Sequence, residues 1–347
     1  MGYSYFYKSY SGRDLESKVS LMYLRTAVNK LVSIIIPCYN AERWIEEAIK
    51  SCLNQTYSAI EVIIIDDGST DCSLKIIKSY EHRIIWEAGP NRGGNHARNW
   101  GFELSKGDYI QYLDADDYIL PEKIDSQVQF LETTGVDVVY GDWRHQQHLP
   151  DNRIILEDVK VSGAQIDILA ALLSDWWVSP ACLMFSKQAV QKSGGWDEDL
   201  KAVQDKDFFI SVVMMGAKVG YQPGCDSIYR RHSNKTVSTS SKIGHLKSQL
   251  IINRKVENNL IKSGKFFTKY QKSLAQSYFL IAREYVEINP SIYTELLRKV
   301  FFSTQILKLS LQIELQSTAW HKTFWDLKKL RSWFSLSRSS KSYLEGV

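Results

Sequence analysis

Residues 109–121 read Tyr-Ile-Gln-Tyr-Leu-Asp-Ala-Asp-Asp-Tyr-Ile-Leu-Pro. The apolar run Tyr109–Leu113 predicts a strand that ends on three carboxylates, Asp114, Asp116 and Asp117. Like charges this close repel, so the cluster calls for full solvation or a cation. A solvated turn whose Asp caps the next helix satisfies the same pattern. The cluster alone does not choose between these readings.

Working upstream, Leu31–Pro37 is a continuous β-branched run, the pattern of a parallel strand buried on both faces. Trp44, Ile45, Ala48, Ile49 and Cys52 then recur at helical spacing. Glu61–Ile65 predicts a second buried strand that runs into Asp66-Asp67-Gly68-Ser69-Thr70-Asp71. A helix over Cys72–Tyr80, a short strand at Ile84–Trp86 and a helix over Gly93–Ser105 lead back to the opening stretch. Strands alternating with helices through short loops predict an α/β fold with a mainly parallel sheet. Ligands of such sheets bind beyond the carboxyl ends of the strands, where both acidic loops fall.

Downstream, Lys123–Thr133 predicts a helix, Asp137–Trp143 a strand and Gln146–Asn152 a polar loop. Ala164–Leu173 and Gln204–Met215 predict helices, and Ser227–His232 a strand. Beyond residue 240 the strand signals stop. Helices are expected over Ile243–Ser263, Phe266–Ile288 and Ser291–Gln316, with Pro290 between the last two. The division expected is an extension at 1–30, an α/β domain at 31–240 and a helical region at 241–347.

The 347 residues include five scattered cysteines without metal-like spacing, which fits a reducing compartment. No apolar run approaches the roughly 18 residues of a membrane span. Met1–Tyr10 lacks an apolar h-region, so no signal peptide is expected. Residues 241–347 carry 18 Lys and Arg against 7 Asp and Glu, whereas the first 240 carry 25 against 32. A basic tail suits an anionic neighbour such as a membrane surface. It equally suits a helix bundle with a basic outer face. The aromatic and basic stretch Trp320–Phe334 allows the same two readings. No nucleic-acid partner is expected.

Residue types give further hints. Asp66 or Asp67 can accept from a base N–H or a ribose hydroxyl, and Gly68 permits a tight turn; an ordinary Asp-Gly-Ser turn is the plain alternative. Asn91–Gly101 offers free backbone N–H groups at a helix start and two arginines, a combination suited to phosphate. Its glycine spacing is wrong for a dinucleotide fingerprint. His96 reads as structural or solvated.

Taken in order, Ser33–Asn40, Ile65–Asp71, Ala97-Arg98-Asn99, Asp114-Ala115-Asp116-Asp117, Gly195–Asp199 and Gln204–Phe208 closely resemble the family 2 glycosyltransferases. These are inverting enzymes with the GT-A fold. The resemblance covers about residues 31–235. It implies that Pro37, Tyr39, Asn40, Asp66 and Asp67 face the nucleotide, with Tyr39 and Asp67 on the base. Arg98 would hold the nucleotide or its phosphates, and Asp114 and Ala115 the ribose or donor sugar. Asp116 would hold a divalent metal, Mg²⁺ or Mn²⁺, with His232 beside the metal or diphosphate. Asp205 would be the catalytic base. The family usually has Glu where this chain has Gln204; removing that like charge favours ionised Asp205.

The implied reaction moves a sugar from a UDP- or GDP-sugar to a hydroxyl of a glycan or lipid-linked acceptor, with inversion. The diphosphate must be stabilised as it leaves, and the acceptor hydroxyl must lose a proton. Trp176, Trp177, Pro180 and Trp196 could form an acceptor platform or simply pack in the core. The expected location is cytoplasmic, peripheral at the inner face of the membrane. A sugar nucleotidyltransferase would want a glycine-rich, lysine-containing loop where this chain has Pro37-Cys-Tyr-Asn-Ala. A catalytically silent nucleotide-sugar-binding scaffold is the alternative from another class.

Overall fold

The computed structural model describes residues 30–232, 241–285 and 288–300. The extension at 1–29 and the stretch beyond 300, including 320–334, lie outside the described residues. The chain forms two compact units. Among the described residues, the first takes 30–164, 178–198 and 211–232; the second takes 165–177, 199–210, 241–285 and 288–300.

The first unit is built on one nine-stranded sheet. β1 (Val32–Cys38) lies between β2 (Ile60–Asp66) and β4 (Tyr109–Tyr112), parallel to both. β3 (Ile85–Ala88) extends the sheet beyond β2. The β-branched run of β1 is buried along almost its whole length, as expected of a strand covered on both faces. α1 (Ile45–Leu53) covers it with Ile45, Ala48, Ile49 and Cys52. α2 (Ser73–Lys78) follows β2, and α3 (Gly94–Leu104) follows β3. α3 lies so close to the sheet at Gly101 that an added Cβ would stand 2.4 Å from Ile35.

Beyond β4 the sheet becomes mixed. β5 (Tyr118–Ile119) is a short piece paired antiparallel to β9 (Val219–Arg231). α4 (Lys123–Thr134) leads into β6 (Val138–His148), which pairs with β7 (Ile154–Leu156), β8 (Leu183–Ser186) and β9. β8 runs antiparallel to β4 and joins the two halves of the sheet. β6 runs through residues 146–148, which the sequence reads as loop. These polar residues stay in the ladder because Gln146, Gln147 and His148 pair with β7, and Gln146 and Gln147 also pair with β9. β9 likewise starts eight residues before the predicted Ser227. The parallel strands β1, β2 and β4 release the chain at one edge, at residues 38–40, 66–71 and 113–117.

The second unit is helical. α5 (Ile168–Leu173) starts later than predicted because the Asp167 side chain accepts from Ala170 N at 2.9 Å and caps it. α6 (Lys187–Ser193) belongs to the first unit, and α7 (Gln204–Met214) begins in the second. α8 (Lys242–Lys262) and α9 (Thr268–Tyr285) bury Leu250, Val256 and Leu260 on one side and Leu274, Tyr278 and Ile281 on the other. Among the described residues, no helix is long and apolar enough to cross a membrane.

Candidate functional site

At the end of β4 the chain turns tightly, with Asp117 N donating to Asp114 O at 3.0 Å. The turn sends its three carboxylates to three different partners. Asp114 Oδ1 pairs with Arg98 Nη2 at 2.7 Å. Asp116 Oδ2 faces His232 Nε2 at 3.1 Å. Asp117 is 1% exposed, and its Oδ1 accepts from Arg230 N at 2.8 Å. Burial first, then the charges of Asp116 and Asp114, pushes the Asp117 carboxyl well above the ordinary carboxylate range. Asp117 is therefore part of the wall. Asp116 remains partly open and has a nitrogen ligand type beside it.

β9 brings Arg230 and His232 to this corner, which joins the end of β4 to a remote stretch of sequence. His232 stacks on Trp44 of the β1–α1 loop, with ring centroids 5.2 Å apart. The sequence reading gave Trp44 only a place on a helical face and gave Arg230, within the Tyr-Arg-x-His stretch that ends on His232, no role of its own.

The second loop lies after β2. Asp67 is buried, and its two oxygens accept from Arg92 N at 2.7 Å and Gly93 N at 2.8 Å. It ties this loop to the turn before α3. Asp66 Oδ2 accepts from Ser69 N at 3.1 Å, while its buried Oδ1 has no partner. Asn40 takes the left-handed conformation at φ 49° and accepts from Thr70 N at 2.7 Å. Tyr39 presents an exposed ring. Pro37 is inside β1 and Ala115 is buried in the acidic turn.

Arg98 is held from several sides. Its Nη1 donates to Asn95 Oδ1 at 3.3 Å, and its guanidinium carbon lies 4.5 Å over the Trp196 ring. Trp196 is buried against Tyr112, and Pro180 is buried as well. Neither offers an open face to a sugar, which corrects the platform reading for these two. Asn99, quoted in the sequence only as part of Ala97-Arg98-Asn99, clamps the Trp196 backbone through Trp196 N at 2.8 Å and Trp196 O at 2.9 Å. His96 pairs with Glu198 at 3.2 Å, a tie between α3 and the same loop.

In the second unit, Asp205 sits in the first turn of α7. Its Oδ2 accepts from Trp177 Nε1. Val203, just before the helix, has φ 58°, a strained value for a β-branched residue. Its carbonyl accepts from Asp207 N at 3.2 Å and opens the helix. Gln204 Nε2 donates to Leu200 O at 3.0 Å, a bond that a glutamate could not donate. Burial, with Lys206 reinforcing it and Asp205 opposing, keeps His245 below the ordinary imidazole range. Trp176 leans on Phe209, with centroids 6.5 Å apart.

Among the described residues, no group of three or more His, Cys, Asp and Glu side chains could enclose a metal ion. Asp116 and His232 form an oxygen–nitrogen pair instead. Such a pair suits a cation whose remaining ligands are substrate phosphates and water.

Residues 33–193 match the family described as glycosyl transferase family 2. The UDP-Glc:alpha-D-GlcNAc-diphosphoundecaprenol beta-1,3-glucosyltransferase WfaP of Escherichia coli is 31% identical over 217 residues, 61% of this chain and 82% of that protein. The chain belongs to glycosyltransferase family 2. A glycosyltransferase of Haemophilus influenzae is 43% identical over 117 residues, covering 33% of this chain and 47% of that relative. A Rickettsia typhi relative is 33% identical over 190 residues, 54% of this chain and 60% of its own length. The chain thus spans 47% and 60% of the length of these last two relatives. The crystal structure of S. aureus TarS 1-349 in complex with UDP-GlcNAc superposes with a TM-score of 0.60 at 17% identity, over 79% of this chain and 81% of the TarS 1-349 chain. GalNAc-T7 superposes at 0.50 with 14% identity, over 72% of this chain and 52% of its own. These likenesses give the family 2 chain the GT-A fold.

Proposed function

We propose that this chain transfers a sugar, with inversion, from a nucleotide-sugar to a hydroxyl of a glycan or lipid-linked acceptor. The observation that carries the reading is the corner after β4. There Asp114 is neutralised by Arg98, while Asp116, paired with His232, stays open at the edge where parallel sheets bind ligands. The exposed Tyr39 ring supplies a stacking face for a base. Asp67, whose oxygens are both engaged, supports that pocket by fixing its backbone.

Asp116 and His232 would hold Mg²⁺ or Mn²⁺ together with the diphosphate. When bound, the cation supplies Lewis-acid stabilisation to the departing nucleoside diphosphate. Arg98 and Asp114 orient the nucleotide side of the donor. Asp205, held by Trp177, takes the proton of the acceptor hydroxyl as general base. Its place in the first turn of α7 favours the anion it needs to be. Attack opposite the leaving group inverts the anomeric carbon. Trp176 and Trp177 are the aromatic side chains kept in the acceptor proposal.

The WfaP relative is named for a UDP-glucose donor and a sugar linked through diphosphate to undecaprenol, and TarS was crystallised with UDP-GlcNAc. A uridine donor and a lipid-diphosphate-linked acceptor are accordingly the first substrates to try. Cytoplasmic location at the membrane's inner face belongs to the same proposal and rests on the basic composition of residues 241–347. The donor half is tested by calorimetry. Asp116→Ala should lose the metal-dependent part of UDP binding, and unchanged metal-dependent affinity would remove Asp116 from the role.

A further inference from the structure

The side chain of Arg230 is 0% exposed, yet it carries a full charge. Burying a guanidinium costs several kcal/mol unless partners match it closely. Here they do. Nη1 donates to the backbone oxygen of Asp116 at 2.9 Å, and Nε donates to Gln146 Oε1 at 3.2 Å. Nη2 pairs with the Glu47 carboxylate of α1. The guanidinium carbon stands 4.6 Å from the Tyr118 ring and 5.1 Å from the Trp44 ring. The backbone N of the same residue holds Asp117 Oδ1.

These contacts converge on the Asp116–His232 pair without touching a place where a reacting atom would sit. Arg230 fixes the peptide that carries Asp116. It also packs against Trp44, the ring on which His232 stacks. A simple salt bridge for stability would not need such a set, since apolar packing of similar volume serves as well. Only a planar fork can serve Asp116, Gln146 and Glu47 at once; a lysine ammonium lacks that geometry.

We infer that Arg230, with Glu47 as its counter-charge, is the positioning residue of the acidic corner and sets its affinity for a divalent cation on a nucleoside diphosphate. The inference rests on the functional reading above and adds two residues to it. Partners behind metal ligands typically change metal affinity by about 10–100-fold when altered.

The test uses the full chain and the variants Glu47→Gln and Arg230→Lys. UDP binding is titrated by calorimetry with and without Mn²⁺, and thermal midpoints are recorded without ligand. Glu47 is more than half exposed, so Glu47→Gln keeps the fold and decides the matter if Arg230→Lys does not fold. Glu47→Gln is expected to weaken Mn²⁺-dependent UDP binding by about tenfold, and Arg230→Lys by more, with metal-free UDP binding unchanged. A purely structural role would lower both affinities together, or neither. Wild-type protein with Mn²⁺-dependent binding that Glu47→Gln leaves intact would overturn this role alone. Wild-type protein without any Mn²⁺-dependent binding would overturn the functional reading and this role together.

Discussion

Asp114, Asp116 and Asp117 start as three like charges within four residues, and the fold resolves their repulsion by giving each its own partner. Arg98 takes the first, His232 the second and the Arg230 backbone the third. Lys123 shows the opposite case, a buried charge with no close ion pair among the described residues, the Asp226 carboxylate acting on it only from a distance. It is 1% exposed, beside a small cavity lined by Gln127, Asp142, Cys182 and Asp226, and its Nζ reaches only Leu183 O at 3.4 Å. Burial pushes its pKa down to about 7. The unfolded chain therefore binds this proton more tightly than the native state between about pH 7 and the ordinary lysine value of about 10.5. Stability should rise across that window, because unfolding there takes up a proton, and level off above about 10.5 as the unfolded state also loses it. Lys123→Met should raise stability at pH 7 by about 1–4 kcal/mol and flatten this rise. Urea midpoints at pH 7 and pH 10 would show it; a destabilised variant with an unchanged pH slope would contradict it.

At the scale of elements, the two loops at the sheet edge depend on one close approach. Gly68 has φ +76°, and a Cβ there would stand 2.7 Å from Asn91 N and 3.1 Å from Gly89 O. Gly68→Ala should cost at least ~2 kcal/mol through strain and contact, and should weaken UDP binding by separating the loops that Asp67 ties together. Near-normal stability and affinity of that variant would show that the loops tolerate separation. The strand–helix alternation up to β4 was legible because unbroken β-branched runs have few other solutions. The polar end of β6 was not. Residues 146–148 look like a loop until β7 and β9 supply their partners. The acidic turn, Asp205 and His232 were legible as motifs, whereas Arg230, Glu47 and Trp44 meet only through the pairing of β9 with β5 and β6. Trp196 and Pro180 looked available in sequence because burial is a tertiary property.

At the scale of the molecule, a sheet-based unit carries Tyr39, Asp66, Arg98, Asp114 and Asp116, and a helical unit carries Asp205, Trp176 and Trp177. Family 2 membership and the GT-A fold account for the sheet. We propose that this chain cleaves a nucleotide-sugar using Asp116 on the donor side and Asp205 on the acceptor side. The most direct measurement incubates a panel of UDP- and GDP-sugars with the protein and Mn²⁺ or Mg²⁺, with a lipid-diphosphate-linked sugar as acceptor, and reads released nucleoside diphosphate. One donor should give release that chelation abolishes. Asp205→Asn should cut that release by at least ~10² while binding UDP as the wild type does. No release from any donor, or release that Asp205→Asn leaves near normal, would contradict the account.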